Sequence, residues 1–155
     1  MTHNIAETNA LFIPSSRIVL DAKIREYLEP IFEALREAQH QHGRFRFYGY
    51  LAAVYRTYKE WRDLGISKRM ASRLAEQLKI PRKKGASPVR TLIDATFPAS
   101  DSKRKSRWSR ALEFAALVKV AADDLPKFFK NSSGIAGCAR AAARRNPKKN
   151  SNAWL

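Results

Sequence analysis

The clearest helical pattern in the chain is SKRMASRLAEQLKI, residues 67–80. Apolar residues recur there at steps of three and four and share one face, which consists of Met70, Ala71, Leu74, Ala75 and Leu78. The opposite face carries Arg69, Ser72, Arg73 and Glu76. This spacing predicts an amphipathic α-helix over 68–80, with Ser67 as its N-cap and Pro81 just beyond its end.

The same periodicity predicts six more helices on either side of this one. One follows an N-cap at Asp21 and runs to residue 41, and the others cover 44–64, 88–96, 103–122, 124–130 and 134–145. Pro30 lies inside the first helix and should kink or split it. No segment alternates like a strand. The sequence therefore predicts an all-α fold: a compact multi-helix domain that contains a helix-turn-helix-like pair, with an N-terminal helical appendage.

Three regions are predicted along the chain. Residues 1–43 form an arm, with a small hairpin or an anchored irregular segment over 1–17, followed by the first helix. Residues 44–145 form a basic nucleic-acid-binding domain, and residues 146–155 a flexible, frayed tail. The first helix carries a narrow apolar seam made of Ile24, Leu28, Ile31, Leu35 and Ala38. The seam is either a homodimer contact or a face that packs on the body of the same chain.

Positive charge is concentrated after residue 43. The whole chain has 30 Lys and Arg against 14 Asp and Glu. Residues 1–43 hold four basic and six acidic side chains, a net of −2, whereas residues 44–155 hold 26 and eight, a net of +18. A folded body with this much self-repulsion needs a polyanion as partner, and nucleic acid is the commonest one.

Several classes of protein find no support in the composition. The single cysteine, Cys138, excludes an internal disulfide and a cysteine-built zinc site. No secretory signal and no long apolar run is present, which predicts a cytoplasmic protein away from membranes, nucleoid-associated if bacterial. Paired carboxylates, a phosphate loop and a nucleophile elbow are all missing. We therefore expect a binding protein and not an enzyme, without a metal or another cofactor.

Two registers of a helix-turn-helix motif fit the pattern around residues 67–80. In the first, helix 44–64 braces helix 68–80 across a short glycine-containing turn, and Lys68, Arg69 and Arg73 face a DNA groove. In the second, helix 68–80 is the brace and the next helix, with Arg90, is the reader. A plain helical hairpin explains the pattern equally well.

Two basic clusters suggest phosphate contacts. Residues 81–87 form a loop with Arg82, Lys83 and Lys84, suited to following a nucleic-acid backbone. The second cluster opens the helix at residue 103, where positive side chains oppose the helix dipole; its members are Lys103, Arg104, Lys105 and Arg107. The alternative for this cluster is a solvated, charged start to a buried helix.

The preferred hypothesis is a small duplex-DNA-binding protein that acts as a transcriptional regulator or as an accessory factor of a mobile element. An RNA-binding protein is the alternative, based on the basic and aromatic residues of 44–50 and on the glycine pair of 134–137. A third reading is an adaptor that docks an acidic protein.

Overall fold

A computed structural model describes residues 21–83 and 85–145. These residues form seven α-helices and no strand, which confirms the predicted all-α class. The helices are α1 (Ala22–Gln39), α2 (Tyr48–Asp63), α3 (Ser67–Leu78), α4 (Pro88–Thr96), α5 (Ser102–Leu117), α6 (Leu125–Asn131) and α7 (Gly134–Arg145), with a 3₁₀ turn at Ala122–Asp124. The predictions for residues 1–17, for Lys84 and for the tail 146–155 lie outside the described residues.

The chain divides into two compact units, one up to Ser100 and one from Asp101. The first unit contains α1–α4 and the second contains α5–α7. The boundary expected after residue 43 falls inside the first unit, between α1 and α2, because α1 packs against α2 and α4. The N-terminal helix thus packs within the first unit.

The core of the first unit is built around the short helix α4, which contacts α1, α2 and α3. Six of its nine residues are buried. The apolar seam of α1 is buried as well, with Ile24, Ile31 and Leu35 nearly or fully inaccessible. The apolar seam of α1 therefore packs against the same chain. A homodimer contact through α1 would have to use the exposed faces of this helix.

The ends of α1 and α4 follow capping rules. The Asp21 carboxylate accepts a hydrogen bond from the Lys23 N–H, and the Ser87 hydroxyl accepts one from the Val89 N–H. Pro30 is exposed and α1 continues through it, so the expected split does not occur. A proline on the solvent side of a helix costs one backbone hydrogen bond but opens no gap in the core.

The buried hydroxyls of Tyr50 and Thr96 are paired inside the first unit. The Thr96 hydroxyl donates to the Leu92 carbonyl oxygen at 2.8 Å, so the buried Tyr50 hydroxyl donates to the Thr96 oxygen at 2.7 Å. Burial disfavours the phenolate, which raises the pKa of Tyr50 and raises the pKa of Tyr55 to about 12. These neutral hydroxyls belong to the core and not to a site.

The second unit is held by α7, which packs against both α5 and α6. Its core includes Trp108 and Cys138. Helix α5 ends at Leu117 and not near residue 122, because the chain turns at Lys119 with a left-handed φ of 62°. Burial raises the pKa of the Cys138 thiol, which makes it an inert packed group.

Candidate nucleic-acid interface

One face of α5 carries a ridge of three basic side chains, Lys103, Arg107 and Arg110, which we call the α5 ridge. Steps of four and three residues bring them onto the same side of the helix. All three are exposed, and none forms an ion pair with a residue that the structure describes. The ridge is therefore a row of positive charge with no described carboxylate to balance it.

The ridge carries an electrostatic cost within its own helix. Like charges at these spacings destabilise a helix by about 0.2–0.5 kcal/mol per pair. The carboxylates of the second unit form no described ion pair with the ridge: Asp101 pairs with Arg104 at the helix start, Glu113 is half-buried one turn after Arg110, and the remaining two are in the 3₁₀ turn, Asp123 and Asp124. Exposed cations without an ion-pair partner are typical of a surface that meets an external anion.

Two members of the basic cluster predicted at the start of α5 do not belong to the ridge. Lys105 is only 8% exposed, so it lies on the packed side of α5 and not in the ridge. Arg104 pairs with Asp101 at 3.6 Å, and its guanidinium carbon lies 5.8 Å from the ring centroid of Trp108. In addition, the Asp101 carboxylate accepts from the Arg104 N–H at 3.0 Å, so it caps the helix end where we expected a phosphate.

Arg110 belongs to the ridge but was not among the predicted contact residues. The signal that identifies it is its seven-residue step from Lys103, which brings both residues to one face of a helix. The predicted cluster grouped basic residues by their closeness in sequence and not by helix face. It therefore included the buried Lys105 and overlooked the step from Lys103 to Arg110.

Helices α2 and α3 are joined by Leu64, Gly65 and Ile66, with Gly65 in the left-handed region at φ 70°. The short connection is consistent with the expected helix-turn-helix pair. On α3, Met70, Ala71, Leu74 and Ala75 are buried, whereas Lys68, Arg69 and Ser72 are exposed. The first turns of α3 thus present two cations and a hydroxyl to solvent.

Arg73 is engaged within the protein. Its guanidinium donates to the Asp21 carboxylate, and the backbone N–H of Asp21 donates to the Gln77 side-chain oxygen at 2.8 Å. These bonds fasten α3 to the start of α1. Arg73 is therefore held in place by a carboxylate, unlike Arg69 four residues earlier.

Arg90, the reader in the second register, is engaged too. It pairs with Asp94 on the next turn of α4, with its Nε 3.2 Å from each carboxylate oxygen. The helix around it is mostly buried against the other helices of the first unit. In this packing α4 offers little surface to a DNA groove.

The basic loop over 81–87 contains one structural arginine and one exposed lysine. Arg82 donates to the Ser72 hydroxyl and to the Ala86 carbonyl oxygen, both at 3.0 Å, so it fastens the loop to α3. Lys83 is exposed, and its carbonyl oxygen accepts from the Ala86 N–H in a turn. Lys84 is not described.

The glycine pair of 134–137 has a packing explanation. A Cβ on Gly137 would overlap the carbonyl oxygen of Ser132, so only glycine lets α7 approach the end of α6 so closely. Gly134 adopts a φ of 79° at the start of α7. The described residues include no strand, and the sheet that a nucleotide-clamping module of this type requires is not among them.

Two further features are absent from residues 21–83 and 85–145. No helix in this part of the chain combines the length and the apolar character needed to cross a bilayer. No group of three or more His, Cys, Asp or Glu side chains lies close enough together there to hold a metal ion.

Comparison of the chain with protein-family models, with curated proteins and with solved structures finds no match in any of the three.

Proposed function

We propose that this protein binds duplex DNA through phosphate contacts, and that the α5 ridge is its principal contact surface. The observation that carries the proposal is the row of Lys103, Arg107 and Arg110, exposed along one helix face without a described ion-pair partner. DNA phosphates lie along the two edges of each groove, and a helix-borne row of cations can follow one edge.

In this proposal, α3 contacts the DNA groove. Lys68 and Arg69 are exposed near its start, and Arg bound bidentately to guanine is the commonest specific contact in the major groove. The pairing of Arg90 with Asp94 and the burial of most of α4 favour the register in which α2 braces α3, where the pairing of Arg73 with Asp21 leaves Lys68 and Arg69 as the contacts. Arg69 is then the best candidate for reading a base edge.

A protein of this kind acts by occupying DNA and not by chemistry on a substrate. We therefore propose that it is a regulator of transcription or an accessory factor of a mobile element, working in the cytoplasm and associated with the nucleoid if the cell is bacterial. The high net charge of +16 supports DNA association in general, because it accelerates the encounter with a polyanion.

The test is the salt dependence of binding to a random duplex, measured by fluorescence anisotropy. Log affinity should fall against log salt by about 0.9 for each phosphate contacted, so the three cations of the α5 ridge alone should give a slope of roughly −3 and every phosphate contact of the first unit should add to it. The triple variant K103Q/R107Q/R110Q should flatten that slope by roughly 3 and weaken binding at low salt about tenfold or more.

The matched control removes the same charge from α1. The variant K23Q/R25Q/R36Q also loses three positive charges, on a helix that exposes Glu26, Glu29, Glu33 and Glu37. It should change the slope by less than about 1. Equal effects of the two triple variants would show that net charge alone governs binding and would end the assignment to α5. Tighter binding to an RNA hairpin than to the duplex would redirect the proposal to RNA.

Base reading by Arg69 of α3 is tested by a separate selection experiment. Wild type and Arg69→Ala would each be used to select duplexes from a random library. The substitution should lower discrimination at one base pair by about 1–3 kcal/mol while leaving non-specific affinity nearly unchanged. Unaltered selection by Arg69→Ala would contradict base reading by this residue.

A further inference from the structure

The turn before α2 places two neighbouring phenylalanines in different environments. Gly43 opens the turn with a φ of 93°, and its carbonyl oxygen accepts from the Arg46 N–H at 3.3 Å. The Tyr48 N–H then donates to the Phe45 carbonyl oxygen at 3.0 Å. The backbone around Phe45 is thus fixed by two successive hydrogen bonds.

Phe47 points inward and Phe45 outward. The Phe47 ring meets the ring of Phe97 edge-on, with centroids 5.4 Å apart and an interplanar angle of 86°. Phe45 is 45% exposed, and its ring centroid lies 5.0 Å from that of the buried Tyr48. Tyr48 supports the Phe45 ring from the protein side, so a large apolar ring is held at the surface.

The chain segment that carries this ring is positively charged. The guanidinium carbon of Arg44 lies 5.9 Å from the Phe45 ring centroid, and Arg44 forms no ion pair with a residue that the structure describes. The chain has no Asp or Glu between Glu37 and Glu60. An exposed aromatic ring beside an unbalanced arginine is the combination with which proteins bind single strands.

We propose that Phe45 stacks on an unpaired base of a nucleic-acid strand while Arg44 neutralises the adjoining phosphate. Every base offers a flat face to such a ring, and a single exposed ring is enough for one base, whereas a protein or lipid partner needs a wider apolar patch. The surface belongs to the first unit and the α5 ridge to the second. The inference therefore extends the proposed function to strands with unpaired bases and does not depend on the ridge.

The experiment compares a thymidine 20-mer, a uridine 20-mer and a duplex of equal length by fluorescence anisotropy. Phe45→Ala should weaken single-strand binding roughly tenfold, because stacking contributes about 1–3 kcal/mol per base, and should leave duplex binding unchanged. Phe45→Trp should restore or improve the single-strand affinity. The strand whose affinity depends on Phe45 identifies the ligand as DNA or RNA.

Two further variants separate stacking from loss of apolar surface or of fold. Phe45→Leu keeps an apolar side chain without a ring, and it should bind single strands as weakly as Phe45→Ala does. Leu64→Ala removes another exposed apolar group of the same unit, 59% exposed, and should change nothing. Full single-strand affinity in Phe45→Leu or Phe45→Ala would overturn the inference. Loss of duplex binding in the α5-ridge variant would not affect it.

Discussion

The two compact units of this chain both carry excess positive charge, and they accommodate it differently. Residues 1–100 hold 17 Lys and Arg with 10 Asp and Glu, whereas residues 101–155 hold 13 with 4. In the first unit, Arg73 and Arg90 each meet a carboxylate. In the second, the α5 ridge meets none among the described residues. The location of carboxylates, more than the count of cations, therefore decides where a polyanion surface can lie.

The two units also differ in how their helices pack. The first unit is centred on a buried helix, α4, and leaves room around Gly49, whereas the second is held by α7 through a close approach at Gly137. Substitutions at these two glycines, in the same type of element, should therefore have opposite effects.

The largest expected effect is on the second unit. Gly137→Ala should lower the free energy of unfolding by about 1–3 kcal/mol, because the new methyl group overlaps the backbone of Ser132. Gly49→Ala should raise it by up to about 1 kcal/mol, since a Cβ there meets nothing within 4 Å and alanine favours helix. Chemical denaturation of both variants measures the difference. Equal losses would mean that the two units do not differ in this way.

The next largest effect is a loss of stability of the first unit at alkaline pH, caused by its tyrosines. All five tyrosines lie between Tyr27 and Tyr58, in the first unit. Because burial raises the pKa of Tyr50 and raises that of Tyr55 to about 12, the unfolded chain ionises first as pH rises. The resulting stability is complete below about pH 10 and is lost as pH approaches 12, on the order of 2 kcal/mol for Tyr55.

This alkaline transition can be followed by tyrosinate absorbance. The protein should carry Cys138→Ala, because that buried thiol also has a raised pKa and would destabilise the second unit in the same direction. Tyr50→Phe should move the transition to higher pH. A transition that stays in place with Tyr50→Phe would exclude this tyrosine as its source.

A smaller effect is expected at the two aspartate caps. Asp21→Ala and Asp101→Ala should each lower the free energy of unfolding by about 1 kcal/mol through loss of a cap on the first turn. Asp21→Ala should cost a few tenths more, because Arg73 loses its partner on another helix, whereas Asp101 pairs only within its own. Thermal unfolding of both variants tests the order.

The smallest effect is on affinity. Asp101→Asn keeps an acceptable cap but removes the negative charge beside the α5 ridge and releases Arg104. Duplex DNA should bind about two- to threefold more tightly, equivalent to roughly 0.5 kcal/mol. Glu33→Gln, which removes an exposed negative charge from α1 of the first unit, should leave the affinity unchanged in the same anisotropy assay.

Much of the helical architecture could be predicted from the sequence, because periodicity and caps are local. Asp21, Gly65 and Pro88 stand where the sequence predicts starts and stops, and the apolar seam of α1 is buried. The end of α5 was wrong because nothing local marks Lys119 as left-handed. The position of the boundary between the two units depends on contacts between helices distant in sequence, which no local pattern indicates.

The candidate site was less predictable than the fold. Arg69 was identified by helical periodicity, and its exposure is as expected. The bond from Arg73 to Asp21 spans 52 residues, so no local pattern indicates it. Burial of Lys105 depends likewise on how α5 packs against α7. Long-range pairing decides which cations remain available, and it becomes visible only in three dimensions.

The lone thiol of Cys138 offers a way to observe one half of the molecule by itself. It is the only cysteine, it is fully buried, and it lies in the second unit. A thiol reagent such as an aromatic disulfide can therefore modify the native chain only when that half opens, at a rate that reports its opening equilibrium. A ligand that binds the closed form should slow this modification in proportion to its occupancy.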